Sequence, residues 1–194
     1  MPNAASSWLR AQPPNLEEVQ QALGFIVESR LRAGEVIDRI RALVKKAPPL
    51  KARLNINEAI LEVIALIRGE MAKNGISATT QLADSLPPVW ADRVQLQQVV
   101  LNLLLNAIEA MSEMTEGARE LLIRTEQTHS DAVLVCVQDS GPGFPPDSAQ
   151  RLFESFYTTK PEGLGMGLSI CHSIIEAHQG RLWASANPVV QCFN

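Results

Sequence analysis

The segment from Asp92 to about Glu113 is the feature that most constrains the fold of this chain. Asp92 followed by Gln95 is a capping-box signal, which predicts that a helix begins here. Most positions that follow are apolar, so this helix should be buried in a core. These apolar positions are Val94, Leu96, Val99, Val100, Leu101, Leu103, Leu104, Leu105, Ala107, Ile108, Ala110 and Met111.

Three amide side chains interrupt the apolar helix. Gln98, Asn102 and Asn106 stand four residues apart, which places them on one helix face. Burying an amide without a partner costs roughly 1–3 kcal/mol, so buried amides here need protein groups, water or a ligand. If the face is instead a solvated helix edge, no partner is needed, and the helix alone leaves both interpretations open.

The rest of the chain predicts an α+β fold. Helices and strands follow Pro48-Pro49 without strict alternation, which favours a two-layer α/β sandwich with helices over one face of a mixed sheet. Asn57 is the expected cap of the first helix after the prolines. The predicted elements are helices 57–74, 92–113, 148–154 and 166–179, strands 76–82, 89–90 and 181–186, and an antiparallel hairpin of 121–128 with 132–138.

A long helix is predicted before the prolines, from Asn15 to Lys46. Its apolar residues recur at spacings of three and four, which is the coiled-coil period. The helix either packs on the rest of its own chain or forms half of a helical hairpin or dimer bundle. The second interpretation is favoured because of the period.

Composition excludes several classes of protein. The net charge of −4 gives no basic field for nucleic acid or for an anionic membrane. The longest apolar run, near 99–105, is far too short for a membrane span, and residues 1–10 lack the pattern of a signal peptide. The three cysteines have no metal-ligand or redox spacing, so we expect reduced thiols and a cytoplasmic location.

Two glycine-containing segments suggest a nucleotide site. Asp139 ends a predicted strand and is followed by Gly141 and Gly143, so a carboxylate that can accept a hydrogen bond from adenine precedes a tight turn. This pattern alone is weak, because any acidic Gly-Pro turn produces it. Residues 163–167, GLGMG, open the last helix, where backbone N–H groups and the helix dipole favour phosphate. They are neither a P-loop nor a dinucleotide fingerprint. Lys160 could add a charge toward phosphate, or it is an ordinary surface lysine.

In order, the chain contains NLLLNA (102–107), DSGPGF (139–144), LFESFYTTK (152–160) and GLGMGL (163–168). These segments resemble the N, G1, F and G2 boxes of sensor histidine kinase catalytic domains. That domain belongs to the ATPase fold shared with gyrase, the heat-shock chaperone and mismatch-repair ATPases. The resemblance covers about residues 50–188. It implies a Mg-ATP-binding module that transfers the γ-phosphoryl group to histidine, or alternatively a non-catalytic nucleotide-binding or dimerisation remnant.

The resemblance also implies roles for individual residues. Asn106 would bind Mg²⁺, Asn102 would support the metal and phosphate region, and Asp139 would bind the adenine amine. The implied catalytic residues are Asn102, Asn106 and Lys160. The implied ATP-binding residues are Asn102, Asn106, Asp139, Gly141, Gly143, Phe156, Thr159, Lys160, Gly163, Leu164, Gly165, Met166, Gly167 and Leu168.

The residue one turn before the metal-binding asparagine, Asn102 in this chain, distinguishes the members of this superfamily that hydrolyse ATP from those that do not. ATPases that hydrolyse ATP usually place a glutamate base one turn before the metal-binding asparagine, whereas this chain has an amide there. An amide cannot act as a general base. The resemblance therefore favours transfer to histidine over hydrolysis by activated water.

Two departures from the family pattern are evident. None of the histidines, His129, His172 and His178, has the context of the phosphate-accepting residue, so all three are expected to be structural or surface residues. After Asn187-Pro188 the family usually continues with a Gly-rich turn and another strand, which is expected to be missing here. The resemblance thus predicts residues 1–48 as the second helix of a dimerisation and phosphotransfer hairpin and 49–194 as the ATP-binding domain, apparently truncated at both ends.

The partners implied by the resemblance are ATP, the histidine-bearing helix of another kinase and a response regulator receiver domain. A homodimer through the N-terminal helix is a further expectation. Neither nucleic acid nor a membrane segment is expected.

Overall fold

The computed structural model describes residues 16, 19, 50–112, 114–128, 132–145, 148, 151–158, 165–186 and 189–194. The chain divides into two compact units, Met1–Lys46 and Ala47–Asn194. In the first unit only Leu16 and Val19 are described. Both are helical, with Leu16 exposed and Val19 buried. The remaining prediction of a helix over 15–46 lies outside the described residues.

The second unit contains a five-stranded mixed sheet and a small two-stranded sheet. The larger sheet has the order β2-β4-β5-β7-β6, in which only β2 and β4 are parallel. The small sheet pairs β1 with β3 in antiparallel fashion. The elements are β1 (Ala52–Leu54), α1 (Ile56–Lys73), β2 (Ser77–Leu82), β3 (Val89–Ala91), α2 (Arg93–Ser112), β4 (Glu120–Gln127), β5 (Val133–Asp139), a 3-10 turn (Arg151–Phe153), α3 (Gly167–Ala177), β6 (Leu182–Ala186) and β7 (Val189–Phe193).

The core lies between the helices and one face of the larger sheet. Alternate residues of β5 are buried on that face, and α2 buries its apolar positions over several turns. The fully buried residues of α2 include Val99, Val100, Leu103, Leu104 and Met111. The predicted two-layer α/β sandwich is confirmed.

Helix α2 begins as predicted. The Oδ1 atom of Asp92 accepts hydrogen bonds from the backbone N–H groups of Val94 and Gln95 at 3.0 and 3.2 Å. The predicted cap of α1 is wrong, because Asn55 rather than Asn57 accepts the capping bond. The Asn57 side chain instead donates to Ala83 O and accepts from Thr125 Oγ1, so tertiary contacts of the sheet take it away from capping.

The expectation that the last strand is missing is also wrong. Residues 189–193 form β7, which lies between β5 and β6 and pairs with both. A central position gives the backbone of β7 hydrogen-bonding partners on both sides, which favours a strand in this apolar, β-branched stretch. Phe193 of β7 is buried in the core.

The expectation of three reduced thiols is wrong for two of them. Cys136 of β5 and Cys192 of β7 are cross-strand neighbours and form a disulfide. Cys171 is a free, buried thiol. Among the described residues, no helix is long and apolar enough to cross a membrane.

Candidate functional site

Asp139, the last residue of β5, is buried with 5% of its surface exposed. Its Oδ1 atom accepts a hydrogen bond from Gly141 N–H at 2.8 Å. A Cβ atom added to Gly141 would stand 2.6 Å from this oxygen and 3.2 Å from the Cβ atom of Ala110 on α2. The Asp139 carboxylate, Gly141 and α2 therefore pack closely against one another. We call Asp139, Gly141 and Ala110 the sheet end of the site.

The amide face of α2 is half-buried at Gln98, Asn102 and Asn106. The Nδ2 group of Asn102 donates to the Sγ atom of Cys171 on α3 at 3.6 Å. Burial raises the pKa of the Cys171 thiol to about 12, so this group stays protonated at neutral pH. The Cys171 thiol lies 3.9 Å from Val99 O, its acceptor on α2. The half-buried amide of Asn102 therefore has a protein group, the Cys171 thiol, as its partner.

Asn106 lies between the two contacts that α2 makes on this face. It follows Asn102 by one helical turn and precedes Ala110 by one turn, about 6 Å along the axis in each direction. Because residues four apart share a face, Asn106 lies between the Cys171 contact on α3 and the Gly141 turn after β5. The amide oxygen of Asn106 is a hard donor of the kind that Mg²⁺ prefers.

The start of α3 is the second end of the site, and Gly165, Met166 and Gly167 are together called the helix end. Gly165 has φ +65°, and a Cβ atom there would meet the backbone of Phe156 and Tyr157 at 2.5 to 2.7 Å. Phe156 itself has φ 69°, is 74% exposed, and donates its N–H to Gly165 O at 2.9 Å. Gly165 therefore holds the backbone of Phe156 in a left-handed conformation that L residues rarely adopt.

Gly167 differs from Gly165, because a Cβ atom added to it would meet no described atom within 4 Å. Met166, the cap residue, forms no side-chain capping bond and is buried, and Leu168 packs against the core. The first turn of a helix carries backbone N–H groups without intrahelical partners and the positive end of the helix dipole. The helix end can thus accept an anion close to Gly167.

The predicted site residues fall into three groups. One of them, at or beside the helix end described above, consists of Phe156, Gly165, Met166, Gly167 and Leu168. Asn102 and Asn106 lie on α2, whose Ala110 adjoins the turn of Asp139 and Gly141 at the end of β5, and Gly143 follows in that turn with φ +78°. The predictions for Thr159, Lys160, Gly163 and Leu164 lie outside the described residues. Cys171 was not predicted, since only its contact with Asn102 distinguishes it from other buried residues of an apolar helix.

Two of the histidines have structural contacts. The Nε2 atom of His178 accepts a hydrogen bond from Asp92 N at 3.0 Å, and its Nδ1 atom lies 2.8 Å from Ile174 O. His172 lies against the ring of Phe153 and 3.3 Å from a carboxylate oxygen of Glu176. His129 lies outside the described residues.

Comparison with known proteins gives the class of this protein. The family model described as "Histidine kinase-, DNA gyrase B-, and HSP90-like ATPase" matches residues 91–192, just over half of the chain. The chain therefore belongs to this family of ATP-binding domains. The matched range contains α2, β5 and the start of α3, which carry the described site residues.

Within that family, the similar proteins are sensor histidine kinases. The sensor histidine kinase TmoS of Ectopseudomonas mendocina is 38% identical over 187 residues, and the sensor protein FixL of Bradyrhizobium diazoefficiens is 42% identical over 179. These matches cover 96% and 90% of this chain but only 19% and 34% of those proteins. The chain thus spans about a fifth and a third of the two relatives.

Solved structures agree in fold and family. The catalytic domain of histidine kinase ThkA is 36% identical, with a TM-score of 0.64 over 74% of this chain and 93% of that domain. Histidine kinase ThkA in complex with response regulator protein TrrA is 30% identical, with a TM-score of 0.73 over 90% of this chain and 50% of that one. The resemblance to histidine kinase catalytic domains is confirmed.

Proposed function

We propose that the chain is the Mg-ATP-binding catalytic module of a sensor histidine kinase and transfers the γ-phosphoryl group of ATP to a histidine supplied by another helix. The observation that carries the proposal is the arrangement of α2. One face of this helix contacts α3 through Asn102 and the Asp139–Gly141 turn through Ala110. A nucleotide placed along that face would extend from a buried carboxylate to the start of a helix.

Each end of the site suits one part of ATP. The Asp139 carboxylate accepts hydrogen bonds and suits the exocyclic amine of adenine. The N–H groups at the start of α3 suit the phosphates. Asn106 would hold Mg²⁺, and that ion, when bound, would neutralise phosphate charge.

Asn102 favours transfer to histidine over hydrolysis of ATP. Its amide is hydrogen-bonded to the neutral thiol of Cys171 and offers no general base for water. Phosphoryl transfer depends mainly on positioning and charge neutralisation, so an imidazole nucleophile presented by a partner needs little further help from this chain.

The proposed partners are the histidine-bearing helix of another kinase and a receiver domain. The complex of ThkA with the response regulator protein TrrA supports the second, because that protein is 30% identical to this chain. We also propose that the helix predicted over 15–46 mediates a homodimer, and that the protein acts in the cytoplasm.

The test of metal binding compares two amide variants of α2. Asn106→Ala should remove the dependence of ATP affinity on Mg²⁺, measured by calorimetry with Mg²⁺ or with EDTA. Gln97→Ala is the matched control, because Gln97 lies on the same helix but donates to Glu62 of α1. If Asn106→Ala keeps a full Mg²⁺ effect, the metal role of Asn106 is wrong.

The test of catalysis uses a partner in trans. A kinase that retains its histidine helix but cannot bind ATP is mixed with this protein and labelled ATP. Acid-labile label on the partner is expected. If ATP binds but the partner stays unlabelled, the protein is a non-catalytic nucleotide-binding module, and if phosphate is released steadily instead, it is a hydrolytic ATPase.

A further inference from the structure

Gln191 on β7 has a buried side-chain oxygen, Oε1, with no hydrogen-bond partner among the described residues. Leaving a buried polar atom without a partner destabilises the folded state, so such atoms are uncommon in folded proteins. The residue itself is half-buried.

The strand pairing places Gln191 on the core face of the sheet, the face that also carries Asp139. Phe193, two residues along β7, belongs to the core and pairs with the core residue Val135 of β5. Since side chains alternate along a strand, Gln191 shares the face of Phe193, while Cys192 lies on the opposite face. Its cross-strand partner on β5 is Val137, which is also buried in the core.

Gln191 is a close neighbour of Asp139 on this face. Asp139 pairs with Val189, so Gln191 is its diagonal neighbour two residues along β7. Diagonal pairs in antiparallel sheets lie about 7–8 Å apart, within reach of long side chains. Gln191 has a long side chain, so its oxygen and the Asp139 carboxylate can approach one small group from two directions.

We infer that Gln191 is a base-specificity residue that accepts the second N–H of the adenine exocyclic amine, while Asp139 accepts the first. The assignment rests on the proposed function. The amine carries two hydrogens, and two acceptors on adjacent strands match them. Guanine has a carbonyl oxygen at this position, which would face two acceptors and leave all three unpaired. The pair of side chains therefore selects ATP over GTP.

The experiment measures the affinity of the full chain for Mg-ATP, Mg-GTP and N6-methyl-ATP by calorimetry. Gln191→Leu removes the acceptor and keeps a similar volume, and Gln191→Met does so with an unbranched side chain in case Leu disturbs folding. Gln138→Leu is the matched control, because Gln138 is a half-buried glutamine on the opposite face of β5.

Gln191→Leu is expected to weaken ATP binding about threefold to tenfold, the loss of one neutral hydrogen bond. It should leave GTP binding unchanged or stronger, and it should raise the melting temperature without ligand, because the unpaired oxygen is gone. N6-methyl-ATP should bind the wild-type protein more weakly than ATP, and this difference should shrink in Gln191→Leu. The control variant should show none of these changes.

The inference is overturned if Gln191→Leu and Gln191→Met bind ATP as tightly as the wild-type protein, as expected if Gln191 is paired with a buried water. It is also overturned if ATP and GTP lose affinity by the same factor. Neither result would affect the proposed function. Failure of the wild-type protein to bind ATP at all would overturn the proposed function and this assignment together.

Discussion

The two ends of the site contain glycines with different surroundings. At the sheet end, the space beside Gly141 is filled by the Asp139 carboxylate and by Ala110. At the helix end, the space beside Gly167 contains no described atom within 4 Å. The protein itself excludes a side chain at residue 141, whereas nothing described excludes one at residue 167.

The packing around Gly141 gives that residue a structural role, whereas the open space beside Gly167 is available to a ligand under the proposed function. Asp139 and Gly141 are held to each other by a hydrogen bond, and Gly141 packs against Ala110. Gly167 opens α3 at the point where anions are stabilised by backbone N–H groups. We therefore expect substitutions at the sheet end to change stability and binding together, and substitutions at Gly167 to change binding alone.

The largest effect on stability should come from the Cys136–Cys192 disulfide, which links the strand of Asp139 to β7 across 56 residues of sequence. Disulfides typically contribute about 2–4 kcal/mol to the free energy of unfolding. Reductant should lower the free energy of unfolding of the wild-type protein, measured by urea denaturation, by that amount, and should leave that of Cys192→Ser unchanged. An equal response of both proteins to reductant would show that these cysteines are not paired.

An intermediate effect is expected from Gly141→Ala. The added methyl group would meet Asp139 Oδ1 at 2.6 Å and Ala110 Cβ at 3.2 Å. Overpacking of this kind costs about 1–3 kcal/mol, and the displaced carboxylate should also weaken ATP binding. Urea unfolding and calorimetry on the same sample check both parts. Loss of stability with unchanged ATP affinity would separate the Gly141 turn from the nucleotide site.

The smallest effect on stability is expected from Gly167→Ala. Alanine is a better helix former than glycine by up to about 1 kcal/mol, so the free energy of unfolding should stay the same or rise slightly. Binding of Mg-ATP should nevertheless weaken, because the methyl group would occupy the space beside the first N–H groups of α3. Unchanged ATP affinity would mean that the phosphates lie elsewhere.

Much of the fold could be predicted because local signals and the global fold agree. The Asp92 cap and the apolar run that follows it specify α2 within the chain. The β-forming residues around 121–138 specify the antiparallel pair β4 and β5, which the structure confirms. Family motifs then predicted which polar residues of these elements form the site.

The parts that were missed depend on contacts between distant segments. Asn57 was predicted to cap α1 but is bonded to Thr125 and Ala83, neither of which is near it in sequence. Strand β7 was missed because its stability comes from pairing on both sides with β5 and β6. Sequence spacing alone does not determine which cysteines pair, so the Cys136–Cys192 bridge was missed too.

The candidate site was predictable to a different degree at each end. Asp139 ends a strand and Gly141 follows it in a recognisable motif, and the structure joins the two by a hydrogen bond. The contact of Asn102 with Cys171 was not predictable, because it depends on how α2 packs against α3. The orphaned oxygen of Gln191 likewise becomes visible only when β7 is placed beside β5.

The most direct test of the account is a titration of Mg-ATP into the wild-type protein and Asp139→Asn, followed by heat and by melting temperature. The wild-type protein should be stabilised in an Mg²⁺-dependent manner, by about 2.7 kcal/mol at a hundredfold excess over Kd. Asp139→Asn should stay folded and bind ATP at least tenfold more weakly, since a hydrogen bond to a charged group contributes about 1.5–3 kcal/mol. Equal affinities of the two proteins, or no binding by folded wild-type protein, would contradict the account.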